Sequence, residues 1–161
     1  MSKDKKLILS ILVENYSGTL SKVSGLFTRR GYNIDSLNVA ETQDPNISRI
    51  TVAVTGDSYI IEQITKQLHK LINVIKINIL TENTSVQFEL MMIKVNSVGA
   101  KRSEIIQIVD IFDANIVDVS SKNMIIVVTG SEDKNNSFLH LLTPYGIVEM
   151  TRTGPTALER G

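Results

Sequence analysis

One order of apolar patterns occurs twice in this 161-residue chain, and that repetition restricts the fold more than any single motif. Residues 7–13 are an almost unbroken apolar run, which predicts a strand buried on both sides. Residues 18–30 then place Leu20, Val23, Leu26 and Phe27 at helical spacing, with Ser17 expected as the N-cap and Gly31 as the residue that stops the helix. Two strands follow, 33–41 and 48–55. In the second, Ile50, Val52 and Val54 alternate with Arg49, Thr51 and Ala53, and Asp44-Pro45-Asn46 supplies the turn between the two. Ile60, Ile61, Ile64, Leu68 and Leu71 outline a second helix before a fourth strand at 74–80. The order is βαββαβ.

The second pass reads 86–95 as strand, 102–112 as helix, 116–119 and 124–129 as a strand pair, 138–142 as part of a helix and 147–151 as strand. Asn33-Ile34 is echoed by Asn115-Ile116, and Val54-Thr55-Gly56 by Val128-Thr129-Gly130. Counted from those glycines, Leu68 matches Leu142 and Val74 matches Val148. The copies differ most in length near Asp44-Pro45, a connection where extra residues are tolerated. Polar, aperiodic residues 81–85 mark the joint, giving domains 1–80 and 81–161. Two interleaved right-handed βαβ crossovers predict an α+β fold of two ferredoxin-like units in tandem, each with both helices on one sheet face. Strands apolar on both faces leave surface that two helices do not cover, and a unit of roughly 80 residues buries little of its area, so oligomerisation is expected.

Composition then narrows the chemistry. Seventeen basic residues balance 17 acidic ones, which argues against a phosphate-tracking nucleic-acid binder. Strand 48–55 carries no aromatic on which a base could stack. With no cysteine there is neither a thiolate nucleophile nor a Cys-based metal site. His69 and His140 fall in the second helices without partners at ligand spacing and are read as solvated. Glu62, Asp110 and Asp113 form no paired-carboxylate cleft, and Gly18, Gly25 and Gly31 are too far apart for a dinucleotide loop. No apolar run approaches the roughly 20 residues of a membrane span, and the N-terminus lacks a signal-peptide pattern, so a soluble, cytoplasmic chain is expected.

The loop from residue 14 to residue 20 holds the one arrangement suited to a ligand. Unpaired N–H groups at a helix start favour a carboxylate, and Gly18 permits close approach. Asn15 and Asn33 offer amide oxygens to an ammonium group, while Val13, Leu20 and Ile34 supply apolar surface, with Ser17 and Thr19 lining the loop. The competing reading is that Asn15 and Ser17 cap the helix and Asn33 makes a turn.

Residues 9–27, then Arg30-Gly31-Tyr32-Asn33-Ile34-Asp35-Ser36-Leu37, Ser48-Arg49-Ile50-Thr51 and 66–71, strongly resemble the ACT-domain opening of the acetolactate synthase small-subunit family. Met92-Ile93-Lys94-Val95 and Ile111-Phe112 extend the likeness into the second half. The resemblance implies an N-terminal ACT domain that binds effector and dimerises, and a chain with no catalytic site or cofactor of its own. It implies as partner a large catalytic subunit of branched-chain amino-acid biosynthesis carrying thiamine diphosphate, magnesium and FAD. That partner would be stimulated by this chain and feedback-inhibited through valine bound between ACT domains of a homodimer. Carried over by residue, the effector contacts fall on Asn15, Gly18, Asn33 and Ala40. The second unit only echoes them in Asn96, Gly99 and Asn115, so it is expected to act as scaffold and partner contact. An alternative is a free-standing amino-acid sensor acting on another partner. The compartment would be the cytoplasm, or the plastid stroma for an organelle-encoded chain.

Overall fold

A computed structural model describes residues 4–161. It contains β1 (Lys5–Glu14), α1 (Thr19–Arg29), β2 (Ile34–Glu41), β3 (Ile47–Gly56), α2 (Ser58–His69) and β4 (Val74–Leu80). The order repeats in β5 (Ser85–Asn96), α3 (Lys101–Ile111), β6 (Asn115–Val119), β7 (Asn123–Gly130), α4 (Glu132–Leu142) and β8 (Ile147–Arg152), and β9 (Thr156–Glu159) ends the chain. The two antiparallel sheets run β2-β3-β1-β4 and β6-β7-β5-β8, with β9 paired to β5. This is the tandem βαββαβ architecture that the repeat predicts.

In the first unit β1 is central, paired with β3 on one side and β4 on the other, which is why its sequence is apolar without alternation. Leu9, Ile11, Val13, Ile50, Val52 and Val54 form the core with Val23, Leu26 and Phe27 of α1 and Ile61, Ile64 and Leu68 of α2. In the second unit Met91, Ile93, Val95, Met124, Ile126 and Val128 meet Ile105, Val109, Phe138 and Leu142. The helix ends repeat in detail. Gly31 and Asp113 both take positive φ, 69° and 55°, and the following N–H groups of Tyr32 and Ala114 bond to Phe27 O and Val109 O.

Four features differ from the sequence reading. The compact units comprise residues up to Val86 together with Gly154–Gly161, and Gln87–Thr153, so the last eight residues return to the first unit. The small strand β9 brings Ala157 onto Ile8, Ala53 and Leu80, on the sheet face opposite the helices. The chain thus supplies part of its own missing cover. Helix α4 begins six residues earlier than its apolar residues indicate. Ser131 Oγ accepts from Lys134 N, and the inward side chain in that first stretch is the polar Asn135, which donates to Glu89 O and Oε2. By strand pairing the counterpart of Val74 is Ile147, which meets Val95 as Val74 meets Val13, whereas Val148 is exposed.

Candidate functional site

The loop after β1 is held by backbone bonds to two neighbouring connections. Glu14 N donates to Asn73 O at 2.9 Å and Asn15 N to Asn46 O at 2.8 Å. Asn15 Nδ2 donates to Pro45 O at 2.9 Å and Glu41 Oε1 at 3.3 Å, so this side chain braces the β2–β3 hairpin and does not cap α1. Its Oδ1 has no partner among the described residues. Asp44-Pro45-Asn46 therefore does more than turn the chain: it carries the carbonyls that fix the loop. Nothing in a turn-forming tripeptide signals that role, which only the fold creates.

Ser17 is not the N-cap. Tyr16 N bonds back to Glu14 O, the chain turns through Gly18 at φ 85°, and Gly18 itself occupies the cap with no side-chain bond. A left-handed residue at this place strains any other L-amino acid. The N–H groups of Gly18, Leu20 and Ser21 have no partner among the described residues, whereas α2 and α4 are capped by Asp57 and Ser131. An uncapped helix start favours an anion. Val13 and Thr19 support the loop from beneath: Val13 is core, and buried Thr19 donates its hydroxyl to Glu14 O. Leu20 is exposed, and half-buried Ile34 packs on the core.

The remaining two residues divide. Ala40 pairs with Arg49 near the hairpin, at the same sheet end as Asn15 and Gly18, but Asn33 precedes Ile34, which pairs with Val54 at the other end. At about 3.3 Å per residue, the length of β2 puts roughly 20 Å between them. One chain does not bring all four together. Yet β2 is the sheet edge, and both its ends carry the predicted contacts.

The second unit closes the corresponding place with its own cation. Ser97 N bonds to Lys122 O as Asn15 N does to Asn46 O, which makes Ser97 the counterpart of Asn15, while Asn96 matches Glu14. The echo between Asn96 and Asn15 is thus one residue out of register. There the Arg102 guanidinium donates to Ser97 O, Ser97 Oγ and Ser120 O.

His69 and His140 are exposed, and no cluster of three or more His, Asp or Glu at metal-binding spacing occurs among the described residues. No helix of the described residues is long and apolar enough to cross a membrane.

Comparison with known proteins adds the decisive observation. A protein of Archaeoglobus fulgidus, "Probable acetolactate synthase small subunit", is 49% identical over 97% of this chain and 98% of its own length. The chain belongs to the acetolactate synthase small-subunit family. Residues 9–76 match "AHAS small subunit-like ACT domain" and residues 88–161 match "Small subunit of acetolactate synthase". A Haemophilus influenzae "Acetolactate synthase small subunit" is 44% identical over 96% of this chain and 95% of its own. The crystal structure of the Thermotoga maritima acetolactate synthase small subunit superposes with a TM-score of 0.90 at 39% identity, covering 98% of both chains. The acetolactate synthase small-subunit fold thus extends through both units.

Proposed function

We propose that this chain is the regulatory subunit of an acetolactate synthase in branched-chain amino-acid biosynthesis. It stimulates a thiamine-diphosphate-dependent catalytic subunit and confers feedback inhibition through valine bound between two copies of its ACT domain. The observation that carries the interchain site is the split of its residues between the two ends of edge strand β2. Antiparallel pairing of β2 with β2 of a second copy, overlapping along Ile34–Glu41, brings Asn33 of each copy to the Ala40 end of the other. Asn15, Gly18 and Ala40 of one chain then face Asn33 of its neighbour. The free N–H groups after Gly18 receive the carboxylate, and the amide oxygens of Asn15 and the neighbour's Asn33 accept from the ammonium group. Leu20 and Ile34 offer apolar surface to the aliphatic side chain.

Because such a site exists only in the paired arrangement, effector binding favours that arrangement, with coupling to the catalytic subunit of about 1–3 kcal/mol in typical allosteric systems. Calorimetric titration of the full chain with valine, leucine and isoleucine should give saturable binding that Gly18→Asp abolishes. Addition of the chain to a purified catalytic subunit should raise acetolactate formation. Binding of none of the three amino acids would overturn the site, and failure to stimulate would favour a free-standing sensor.

A further inference from the structure

The first unit's sheet carries, on the face opposite its helices, a cleft of about 240 Å³. It shares Ala40 with the interchain site, and its Glu41 accepts from Asn15 of that site. Cross-strand pairing of Asn38 with Thr51 and of Ala40 with Arg49 sets these side chains on one face, and Thr156 and Leu158 of β9 form the facing wall. All of these residues belong to the same compact unit.

Two groups in the cleft have hydrogen-bonding capacity that the protein does not use. The half-buried Arg49 guanidinium donates to Ser10 Oγ and has no carboxylate partner among the described residues. Thr51 is 3% exposed and its hydroxyl makes no hydrogen bond among the described residues. A hydroxyl with no protein partner and a guanidinium with no counter-charge side by side are complementary to an oxyanion. Glu41 on the rim sets the charge: its carboxylate opposes a dianion such as phosphate and tolerates a single negative charge. Leu158, 61% exposed, presents apolar surface on the wall formed by β9.

We propose that this cleft binds a small aliphatic monocarboxylate, forked on Arg49, accepting from Thr51 and laying its hydrocarbon part against Leu158. The ligand ties β9 to the sheet. The two sites adjoin through Ala40 and Glu41, but the tie needs no valine and stands whether or not the interchain site binds it.

Hydrogen exchange of the full chain, titrated with isobutyrate and separately with inorganic phosphate, tests this. Isobutyrate should slow exchange at 156–159 saturably. Arg49→Gln should weaken it about tenfold or more, as expected for losing a charged hydrogen bond. Thr51→Val, a change of similar shape, should weaken it several-fold with the melting temperature retained, which covers the case of an Arg49 variant that fails to fold. Gly18→Asp should leave isobutyrate affinity unchanged. The proposal is overturned by absence of saturable slowing, by phosphate binding as well as isobutyrate, by unchanged affinity in the folded Thr51→Val protein, or by loss of isobutyrate binding in Gly18→Asp.

Discussion

Replacing Gly154 with alanine tests whether the returning C-terminal segment is a working part of the first unit. Gly154 has φ +71°, and a Cβ there would lie 2.3 Å from Ser36 Cβ and 2.4 Å from Ser36 Oγ. The left-handed conformation alone costs a non-glycine residue about 1–2 kcal/mol. The contact adds to that, because Ser36 is too short to swing away, so the segment must lift. Lifting breaks the bond from Asn38 Nδ2 to Pro155 O, 3.1 Å long and typical of those contributing about 1 kcal/mol. It also withdraws Ala157 from Ile8, Ala53 and Leu80. A loss of about 2–4 kcal/mol is expected, which at this chain length lowers the melting temperature by about 5–15 °C. Gly25→Ala is the matched control. Gly25 lies inside α1 with nothing within 4 Å of a Cβ, so the same change there should stabilise by about 0.5–1 kcal/mol. Scanning calorimetry with hydrogen exchange at 155–160 reads both effects. A Gly154→Ala protein that melts within about 1 °C of the parent, with the segment equally protected, refutes the reasoning.

Arg152 grips Glu89 with two bonds of 2.8 Å, and the Glu89 side chain is only 3% exposed, so Arg152→Met removes a two-bond charged contact from a buried carboxylate. Urea unfolding should show a loss of about 3–5 kcal/mol, partly recovered by adding Glu89→Gln. Gly18→Ala should keep effector binding at a stability cost of about 1–2 kcal/mol from its φ of 85°, whereas Gly18→Asp should lose the binding. The hydrogen bond and charge of Lys94 hold the Glu149 carboxyl below its ordinary value. A carboxyl depressed by folding favours the folded state above its unfolded pKa, and that advantage disappears as pH falls through the folded one. The melting-temperature difference between parent and Lys94→Met should therefore be present near about pH 7 and shrink as the pH falls through and below the ordinary carboxylate range.

Most of the architecture was legible because burial leaves a period in the sequence. Ile50, Val52 and Val54 alternate, and Val23, Leu26 and Phe27 recur at helical spacing, and each set lies in the core. Where a polar residue does the buried work, the period vanishes: Asn135 hides the start of α4. Strand β9 was missed for another reason, since four residues with a single buried side chain, Ala157, carry no period at all. The candidate site was legible as residue types but not as geometry. Asn15 and Asn33 stand 18 positions apart in a sequence that cannot show they occupy opposite ends of a sheet. Ser17 illustrates the limit of local rules, because a preferred capping residue was set aside by a glycine one position later that could turn the chain more tightly.

The contact between Ala157 and Ile8 also bears on how the molecule is made. A ribosome delivers the first strand long before it delivers the residues that finish covering it. The first unit therefore spends the synthesis of the whole second unit with Ile8, Ala53 and Leu80 incompletely covered, and closes only once residues 154–161 have left the exit tunnel. Such a joint, closing a loop from residue 8 to residue 157, forms late in folding and makes completion of the first unit contingent on production of the second.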